Sequence, residues 1–275
     1  MTDLQAIILA IIQGITELFP ISSLGHAVIL PAVLGWNVDE SADGFLPFLV
    51  VMHLGTALAL LLYFWRDWWN FAAAVVFRRG ARAMSERRVF WRVVVATIPA
   101  VVVGFFLEKE LRAGFGKPVL AAGFLIANGV MLFAAERMKG AQPRAIDQLR
   151  WRDAVAIGLW QCLALIPGFS RSGATMAGGY IAGLDHEDAG RFSFLTATPI
   201  ILGAAVLEAP KLIKHHDKFS TVAIIAGAVA GVVAFLSTVV LMRWLRSSEV
   251  RRFDPFAIYC VLAGAGAVAW LLLRH

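Results

Sequence analysis

Polar and reactive side chains are concentrated in two short stretches of an otherwise apolar chain. The first stretch is QGITELFPISSLGH, at residues 13–26, and the second is PGFSRSGAT, at residues 167–175. Each is broken by proline and glycine, and each is too polar for an ordinary membrane-spanning helix. Ionisable groups at membrane depth cost roughly 2.5–3.5 kcal/mol apiece on insertion scales and usually mark a functional site. Together the two stretches supply a carboxylate, hydroxyls, an imidazole and a guanidinium, which suit an anionic phosphate ligand.

The first stretch places a carboxylate, a hydroxyl and an imidazole close together in the chain. Gln13 and Glu17 are four residues apart and share one face of a helix, which the following proline ends or kinks. Ser22 and Ser23 are types favoured at the start of the next helix, where His26 lies one turn after Ser23. This set predicts a nucleophile, a base and an orienting group. Glu17 could bind a cation, act as a general base or orient His26. The alternative is that Ser22 only caps a helix and His26 is a buried imidazole without a chemical role.

The second stretch predicts an anion-binding turn around one arginine. Gly168 and Gly173 let the backbone approach a ligand closely, and successive amides at a helix start bind anions. Arg171 adds a permanently charged fork that can bind phosphate through two nitrogens. The hydroxyl donors beside it are Ser170, Ser172 and Thr175. The alternative is an ion pair between Arg171 and Glu17 that only locks the two stretches together.

Two further polar residues lie inside apolar segments. His53 stands within VVMHLGT. We predict that His53 and Gln13 contact and orient the reactive groups without contacting the substrate. Asn128 stands within an apolar run, where an amide most often forms a hydrogen bond between helices.

The composition is that of an all-α polytopic membrane protein, with all of residues 1–275 in one membrane domain. The chain is 59% hydrophobic and 16% charged, with a mean hydropathy of +0.73. Six apolar runs are long enough to span a bilayer: 45–65, 89–107, 118–136, 188–208, 219–242 and 255–273. The interrupted segments 4–34 and 153–182 contain apolar pieces too short to span, which predicts two re-entrant helix pairs.

The net charge of +6 does not indicate a nucleic-acid partner, because the basic residues follow the membrane topology instead. Most of them lie in three loops and their flanks: Arg66, Arg78, Arg79, Arg82, Arg87, Arg88 and Arg92; Arg137, Lys139, Arg144, Arg150 and Arg152; and Arg243, Arg246, Arg251 and Arg252. Six spans put these loops on one side, which the positive-inside rule makes cytoplasmic. We expect membrane lipids, including anionic ones, as their neighbours.

The chain divides into two halves with opposite predicted orientations. Residues 1–137 and 153–275 each contain one interrupted segment followed by three spans, and residues 138–152 form a polar linker. Because three is odd, the second half starts from the opposite side, which predicts an inverted-topology repeat with its site where the two broken segments meet. A faint echo between the residues after Gln13 and those after Gln161 agrees with this division.

The two stretches resemble the signature motifs of the BacA-type undecaprenyl-diphosphatases. The similarity continues along nearly the whole chain, through HLGT at 53–56, IPA at 98–100 and FSFL at 192–195. The resemblance implies hydrolysis of undecaprenyl diphosphate to the monophosphate and phosphate, aided by a divalent cation, Mg²⁺ or Ca²⁺. It also implies an inverted-repeat fold in the bacterial cytoplasmic membrane, a site open to the periplasm or outside, recycling of the lipid carrier for peptidoglycan synthesis, and bacitracin resistance.

The resemblance also implies roles for single residues. Glu17 matches the second acid of the family's (Glu/Gln)-xxx-Glu element, Ser23 its nucleophilic serine and His26 its catalytic histidine. Arg171 matches the phosphate-binding arginine, with the neighbouring hydroxyls alongside. This chain carries Gln13 where some members carry glutamate, which leaves Glu17 and the substrate phosphates as the expected cation ligands.

Several alternatives remain open at this stage. Attack by water or by His26 would use the same groups as attack by Ser23. The acid-phosphatase-like lipid phosphatases need Arg-Pro and His…Asp elements that are missing here in the right places. The rival from another class is a transporter or flippase of a phosphorylated prenyl lipid, because inverted repeats with broken helices are common in transporters. Small residues at 222–234 and 261–267 predict close helix packing, with a homodimer contact as one use.

Overall fold

Within the residues that it describes, the computed structural model is built from α-helices, with no β-strand. It describes residues 1–36, 45–107, 117–138, 143–214, 221–247 and 251–273. The helices are α1 (Asp3–Thr16), α2 (Ser23–Leu34), α3 (Phe45–Tyr63), α4 (Trp65–Val76), α5 (Ala81–Phe106), α6 (Pro118–Arg137), α7 (Trp151–Gln161), α8 (Arg171–Ile181), α9 (His186–Lys214), α10 (Thr221–Arg246) and α11 (Asp254–Leu273). Short 3₁₀ helices cover Ile146–Gln148 and Cys162–Leu165.

The predicted all-α membrane architecture is confirmed. In the described part, five single helices are long and apolar enough to cross a bilayer: α5, α6, α9 over His186–Val206, α10 and α11. The remaining predicted span is α3, which runs into α4 with a bend of 71° and passes the same test together with it. The six apolar runs therefore each became a helix, although α5 begins at Ala81 and not near residue 89.

Helix α4 was not predicted, because its residues lie in the Arg-rich stretch between the first two spans, which has the composition of a loop. The helix is amphipathic: Phe71 is buried, whereas Trp65 and Trp69 are exposed. Such a mixture lowers the average hydropathy below that of a span, so a search for long apolar runs reads it as a loop. Tryptophans of this kind are typical of membrane–water interfaces.

Three ion pairs put the Arg-rich helix ends on one side of the bundle. They are Arg137–Asp254 at 2.8 Å, Arg246–Glu187 at 2.7 Å and Arg191–Asp67. They join the C-terminal ends of α6 and α10 to the N-terminal ends of α11 and α9, and the start of α4 to the start of α9. The three basic clusters therefore lie together, as the six-span topology predicts.

The packing of the two halves follows one scheme. A Cβ placed on Gly14 of α1 would lie 2.7 Å from the carbonyl oxygen of Ala230 in α10. A Cβ on Gly158 of α7 would lie 2.6 Å from that of Ala96 in α5. Likewise, a glycine of α6 and a glycine of α11 each lie against a backbone carbonyl oxygen of the other helix. These two helices run antiparallel. These matched contacts and opposed helix directions support the inverted repeat, and the boundaries of its halves stay a prediction.

The linker is less loose than its composition predicts. In its described part, Ile146 and Leu149 are buried in the main apolar core. Asp147 accepts a hydrogen bond from Ser85 at 2.7 Å, and Arg144 pairs with Asp153 at 3.0 Å. The connection is thus part of the packed structure on the Arg-rich side.

The close helix contacts give a stability prediction. Gly158→Ala would push a methyl group into the Ala96 carbonyl, so we expect a loss of about 1–3 kcal/mol in unfolding free energy. Gly203→Ala is the matched control, because a Cβ there meets nothing within 4 Å among the described residues. Unfolding midpoints of the purified variants in detergent would check this. Equal midpoints for the two variants would contradict the packing scheme.

Candidate active site

Both interrupted segments are broken helices, and a serine caps the second helix of each. The Ser22 hydroxyl accepts from the backbone amide of Gly25, and the Ser170 hydroxyl accepts from that of Gly173, both at 3.1 Å. The capping role predicted for Ser22 is therefore confirmed. Its φ of 68° lies in the left-handed region, where a non-glycine residue is strained by about 1–3 kcal/mol. Such strain persists where the surroundings fix it, as they do at functional sites.

The carboxylate of Glu17 is the centre of the site and lies in the break after α1. Glu17 is only 7% exposed. One of its oxygens, Oε2, accepts from Gln13 Nε2 at 3.1 Å and from Ser23 Oγ at 2.5 Å. The other, Oε1, accepts from Arg171 Nη2 at 2.9 Å, and His53 Nε2 lies 3.6 Å from Oε2. The structure thus brings together five side chains that the sequence analysis singled out.

The hydroxyl of Ser23 has the geometry of an activated nucleophile. Because a carboxylate only accepts, the short bond to Glu17 leaves the proton on Ser23 directed at a base. A nucleophile and base within 2.6–3.2 Å, or slightly closer, can exchange that proton. Of the roles left open for Glu17, that of general base toward Ser23 fits this contact best.

His26 is held away from that proton. Its Nδ1 lies 2.7 Å from the Ser22 carbonyl oxygen, so Nδ1 must carry the hydrogen. Its Nε2 lies 2.8 Å from the hydroxyl of Tyr259 on α11, a residue that the sequence analysis did not consider. In this arrangement Glu17 contacts Ser23, and His26 is oriented by α2 and α11.

Arg171 carries an unsatisfied donor beside the site. Its Nη2 bonds to Glu17, whereas Nη1 is buried and has no hydrogen-bond partner within the described residues. Buried donors are almost always paired, so an orphaned one calls for an explanation. The ion pair considered as an alternative exists, but it occupies one side of the guanidinium only. The free side suits an anionic oxygen of a ligand.

The neighbouring hydroxyls hold the turn in shape. Ser170 and Ser172 bond to each other at 2.9 Å, and Ser172 donates to the carbonyl oxygen of Phe19 at 3.0 Å. Thr175 donates to the carbonyl oxygen of Arg171 at 2.7 Å. All three are buried. Ser172 links the second break to the first. Binding of phosphate by the three hydroxyls stays a prediction.

Gly168 is required where the second break meets α6. Its φ of 107° favours glycine, and a Cβ there would overlap the carbonyl oxygen of Ala121 and lie 2.7 Å from Phe124 Cβ. Gly25 of α2 faces it, because a Cβ on Gly25 would lie 3.1 Å from Gly168 Cα. The second break therefore packs closely against the start of α2, with a glycine on each side of the contact.

Asn128 ties the two breaks together, which the sequence analysis anticipated only as a bond between helices. Its Nδ2 donates to the Pro20 carbonyl oxygen at 2.9 Å, and its Oδ1 accepts from the Ser170 amide at 3.0 Å. The side chain is fully buried in α6. An amide offers both a donor and an acceptor, so one residue satisfies a group from each break. A lone asparagine in an apolar run was the only sequence signal for this role.

Replacing Asn128 should therefore destabilise the protein. Asn128→Leu keeps the branched shape of the side chain but leaves the Ser170 amide buried without its acceptor, and the Pro20 carbonyl with only a long contact from Cys260 Sγ at 3.9 Å among the described residues. An unsatisfied buried group costs about 1–3 kcal/mol, so we expect a loss of at least about 1–3 kcal/mol in unfolding free energy. Unfolding in detergent measures the loss, with Asn70→Leu as the control, since Asn70 accepts a hydrogen bond from an exposed arginine at the surface. An unchanged midpoint for Asn128→Leu would show that Asn128 does not join the breaks.

The donors at the site fit a cation that arrives with a phosphate ligand. The described residues contain no group of three or more His, Cys, Asp or Glu side chains that could hold a metal by themselves. The carboxylate in contact with Ser23 is that of Glu17, and Gln13 meets this carboxylate through its amide nitrogen, which does not bind cations. Mg²⁺ is usually bound by one or two carboxylates together with substrate phosphates, which matches this set.

The fold and the site define a polytopic membrane protein in which two broken helix segments bring a carboxylate-bound serine next to a half-paired arginine. The comparisons with known proteins agree. The chain belongs to the family described as bacitracin resistance protein BacA, whose model matches residues 6–266. The resemblance drawn from the two motifs is thereby confirmed.

Three relatives named undecaprenyl-diphosphatase are similar over nearly their full length. The protein from Granulibacter bethesdensis is 52% identical, covering 98% of this chain and 97% of the relative. Those from Acidiphilium cryptum and Gluconobacter oxydans are 51% and 53% identical. They cover 96% and 99% of this chain, and 96% and 100% of their own length.

Proposed function

We propose that this protein hydrolyses undecaprenyl diphosphate to undecaprenyl phosphate and inorganic phosphate. The observation that carries the proposal is the contact of Ser23 with Glu17 at 2.5 Å, beside the free Nη1 of Arg171. Phosphoryl transfer depends mainly on positioning and on charge stabilisation, and these groups supply both. The names of the relatives supply the substrate.

The contacts support the following reaction. The prenyl tail stays in lipid, and Arg171 Nη1 binds the terminal phosphate. Ser23 Oγ attacks the terminal phosphorus while its proton moves to Glu17, and the bond from that phosphorus to the bridging oxygen breaks. Undecaprenyl phosphate leaves with the bridging oxygen. Water then hydrolyses the phosphoserine, releasing phosphate and restoring Ser23.

A divalent cation, Mg²⁺ or Ca²⁺, is part of the proposal. Glu17 would hold it together with the phosphate oxygens of the substrate. When bound, it neutralises part of the diphosphate charge, which assists the attack of an electron-rich nucleophile.

We place the protein in the bacterial cytoplasmic membrane with the site open to the periplasm or outside. The common side of the three Arg-rich clusters, read with the positive-inside rule, supports this orientation. The product, undecaprenyl phosphate, is the lipid carrier that peptidoglycan synthesis uses again. Removal of the diphosphate lipid, which bacitracin sequesters, would confer bacitracin resistance.

A transporter of a phosphorylated prenyl lipid is the rival function, and liposomes separate the two. We expect wild-type protein to release phosphate from undecaprenyl diphosphate, and Ser23→Ala to release none while still binding the lipid. A carrier needs no nucleophile, so transfer of the lipid across the bilayer by both proteins, without phosphate release by either, would support the rival.

A further inference from the structure

A second polar pair, His26 and Tyr259, lies beside the Ser23 site where α2 packs on α11. The Nε2 atom of His26 is 2.8 Å from the Tyr259 hydroxyl. The two rings are nearly parallel, at 8°, with centroids 5.8 Å apart. The proposed reaction does not use Tyr259. It also gives His26 no role in deprotonating Ser23, because Glu17 accepts that proton.

The hydrogen-bond directions of this pair are fixed. The Ser22 carbonyl holds the proton on Nδ1, so in a neutral ring Nε2 accepts and the Tyr259 hydroxyl donates. If His26 gains a proton, Nε2 donates to the Tyr259 oxygen instead, and the hydroxyl hydrogen is free to turn toward an anion. An anionic ligand would favour that second arrangement, because hydrogen bonds from charged groups to phosphate are strong.

Tyr259 precedes a residue that is tied to the helix breaks, and it lies on an exposed apolar face of α11. The next residue, Cys260, is buried and accepts from Asn128 at 3.3 Å, which pins this turn of α11 to the helix breaks. Tyr259 itself is 43% exposed, on a face shared with exposed Ile258 and Leu262. At this position the Tyr259 ring can lie against apolar groups while its hydroxyl reaches the polar site.

We propose that His26 and Tyr259 bind the phosphate that remains on the prenyl lipid, while Ser23 and Arg171 take the terminal phosphate. This inference rests on the proposed diphosphatase function. Ser23 and His26 are one helical turn apart on α2, and side chains so spaced have Cβ atoms about 5–6 Å apart, a separation that two linked phosphates can bridge. The tail must leave the lipid-linked phosphate toward lipid, and Tyr259 lies at that exit.

The binding of the monophosphate product tests the inference without requiring turnover. Tyr259→Phe keeps the ring stack and removes only the hydroxyl. We expect its dissociation constant for undecaprenyl phosphate in detergent micelles to rise about 10- to 100-fold, the effect of losing one hydrogen bond to a charged group. The affinity for inorganic phosphate should be unchanged, because that product binds beside Arg171.

Tyr63→Phe is the matched control, because the Tyr63 ring packs against its neighbour Phe64 and against Phe235 of α10. We expect this variant to bind the monophosphate like the wild type. Undiminished binding by Tyr259→Phe would overturn the inference. So would a variant whose affinity for both products falls equally. Failure of wild-type protein to hydrolyse the diphosphate would instead refute the proposed function, and the monophosphate affinities would still decide the role of Tyr259.

Discussion

Replacing Arg171 by alanine should lower phosphate release by about 10³–10⁵-fold, the range seen when an arginine that stabilises a transferring phosphoryl group is lost. The variant loses the buried Nη1 donor that has no partner among the described residues and that we propose binds the terminal phosphate. Arg171→Lys should recover little of the loss, because a lysine cannot bond to Glu17 and to the phosphate through a planar fork. The rate of phosphate release from undecaprenyl diphosphate by purified protein measures the effect.

The same substitution should destabilise the fold, and this effect needs to be separated from catalysis. Glu17 would remain buried without its partner, which costs about 3–5 kcal/mol when one member of a buried ion pair is removed. The double variant Glu17→Gln with Arg171→Met removes both charges, so we expect its unfolding midpoint to recover while its activity stays lost. Recovery of activity together with stability would mean that the pair only locks the segments.

Arg137→Ala is the matched arginine control. Arg137 pairs with Asp254 at an exposed helix end on the Arg-rich side. We expect its phosphate release and its unfolding midpoint to stay close to those of the wild type.

Replacing Ser23 by alanine should lower phosphate release by at least about 10³-fold, as expected for the loss of a nucleophile. The ion pair between Glu17 and Arg171 does not depend on the hydroxyl, so binding of undecaprenyl diphosphate should persist. Ser237→Ala, at a buried serine of α10, is the control and should hydrolyse normally. Substantial activity in Ser23→Ala would favour direct attack by water or by His26.

Local patterns in the sequence were enough to predict most of the helices and the members of the site. Spans follow from the length of apolar runs, and the breaks follow from proline, glycine and capping serines, which act within a few residues. Glu17 and Arg171 stood out because charge inside apolar surroundings is costly. The pairing between them was considered from the sequence, and the structure adds that it is incomplete.

What the sequence did not reveal depends on contacts between residues far apart in the chain. Asn128 bonds to Pro20 and Ser170 only because α6 passes both breaks. Tyr259 meets His26 across more than two hundred residues of sequence. A single polar residue in an apolar helix carries no local sign of its partner, so its role appears only in three dimensions.

The correspondence between residues of the two halves also depends on packing that the sequence does not show. The sequence echo pairs Gln13 with Gln161, but the packed glycines of α1 and α7 are Gly14 and Gly158. Three residues after these glycines stand Glu17 and Gln161. The Glu17 carboxylate thus corresponds to the neutral Gln161 amide in the second half. The two halves are packed alike, but the site uses different residues from each.

The most direct test is phosphate release from undecaprenyl diphosphate by the purified protein in detergent, with and without a chelator, beside Ser23→Ala and Arg171→Ala. We expect release that depends on a divalent cation and is lost in both variants. If the wild type releases no phosphate while its lipid binding still depends on Arg171, the site belongs to a carrier and not to a diphosphatase.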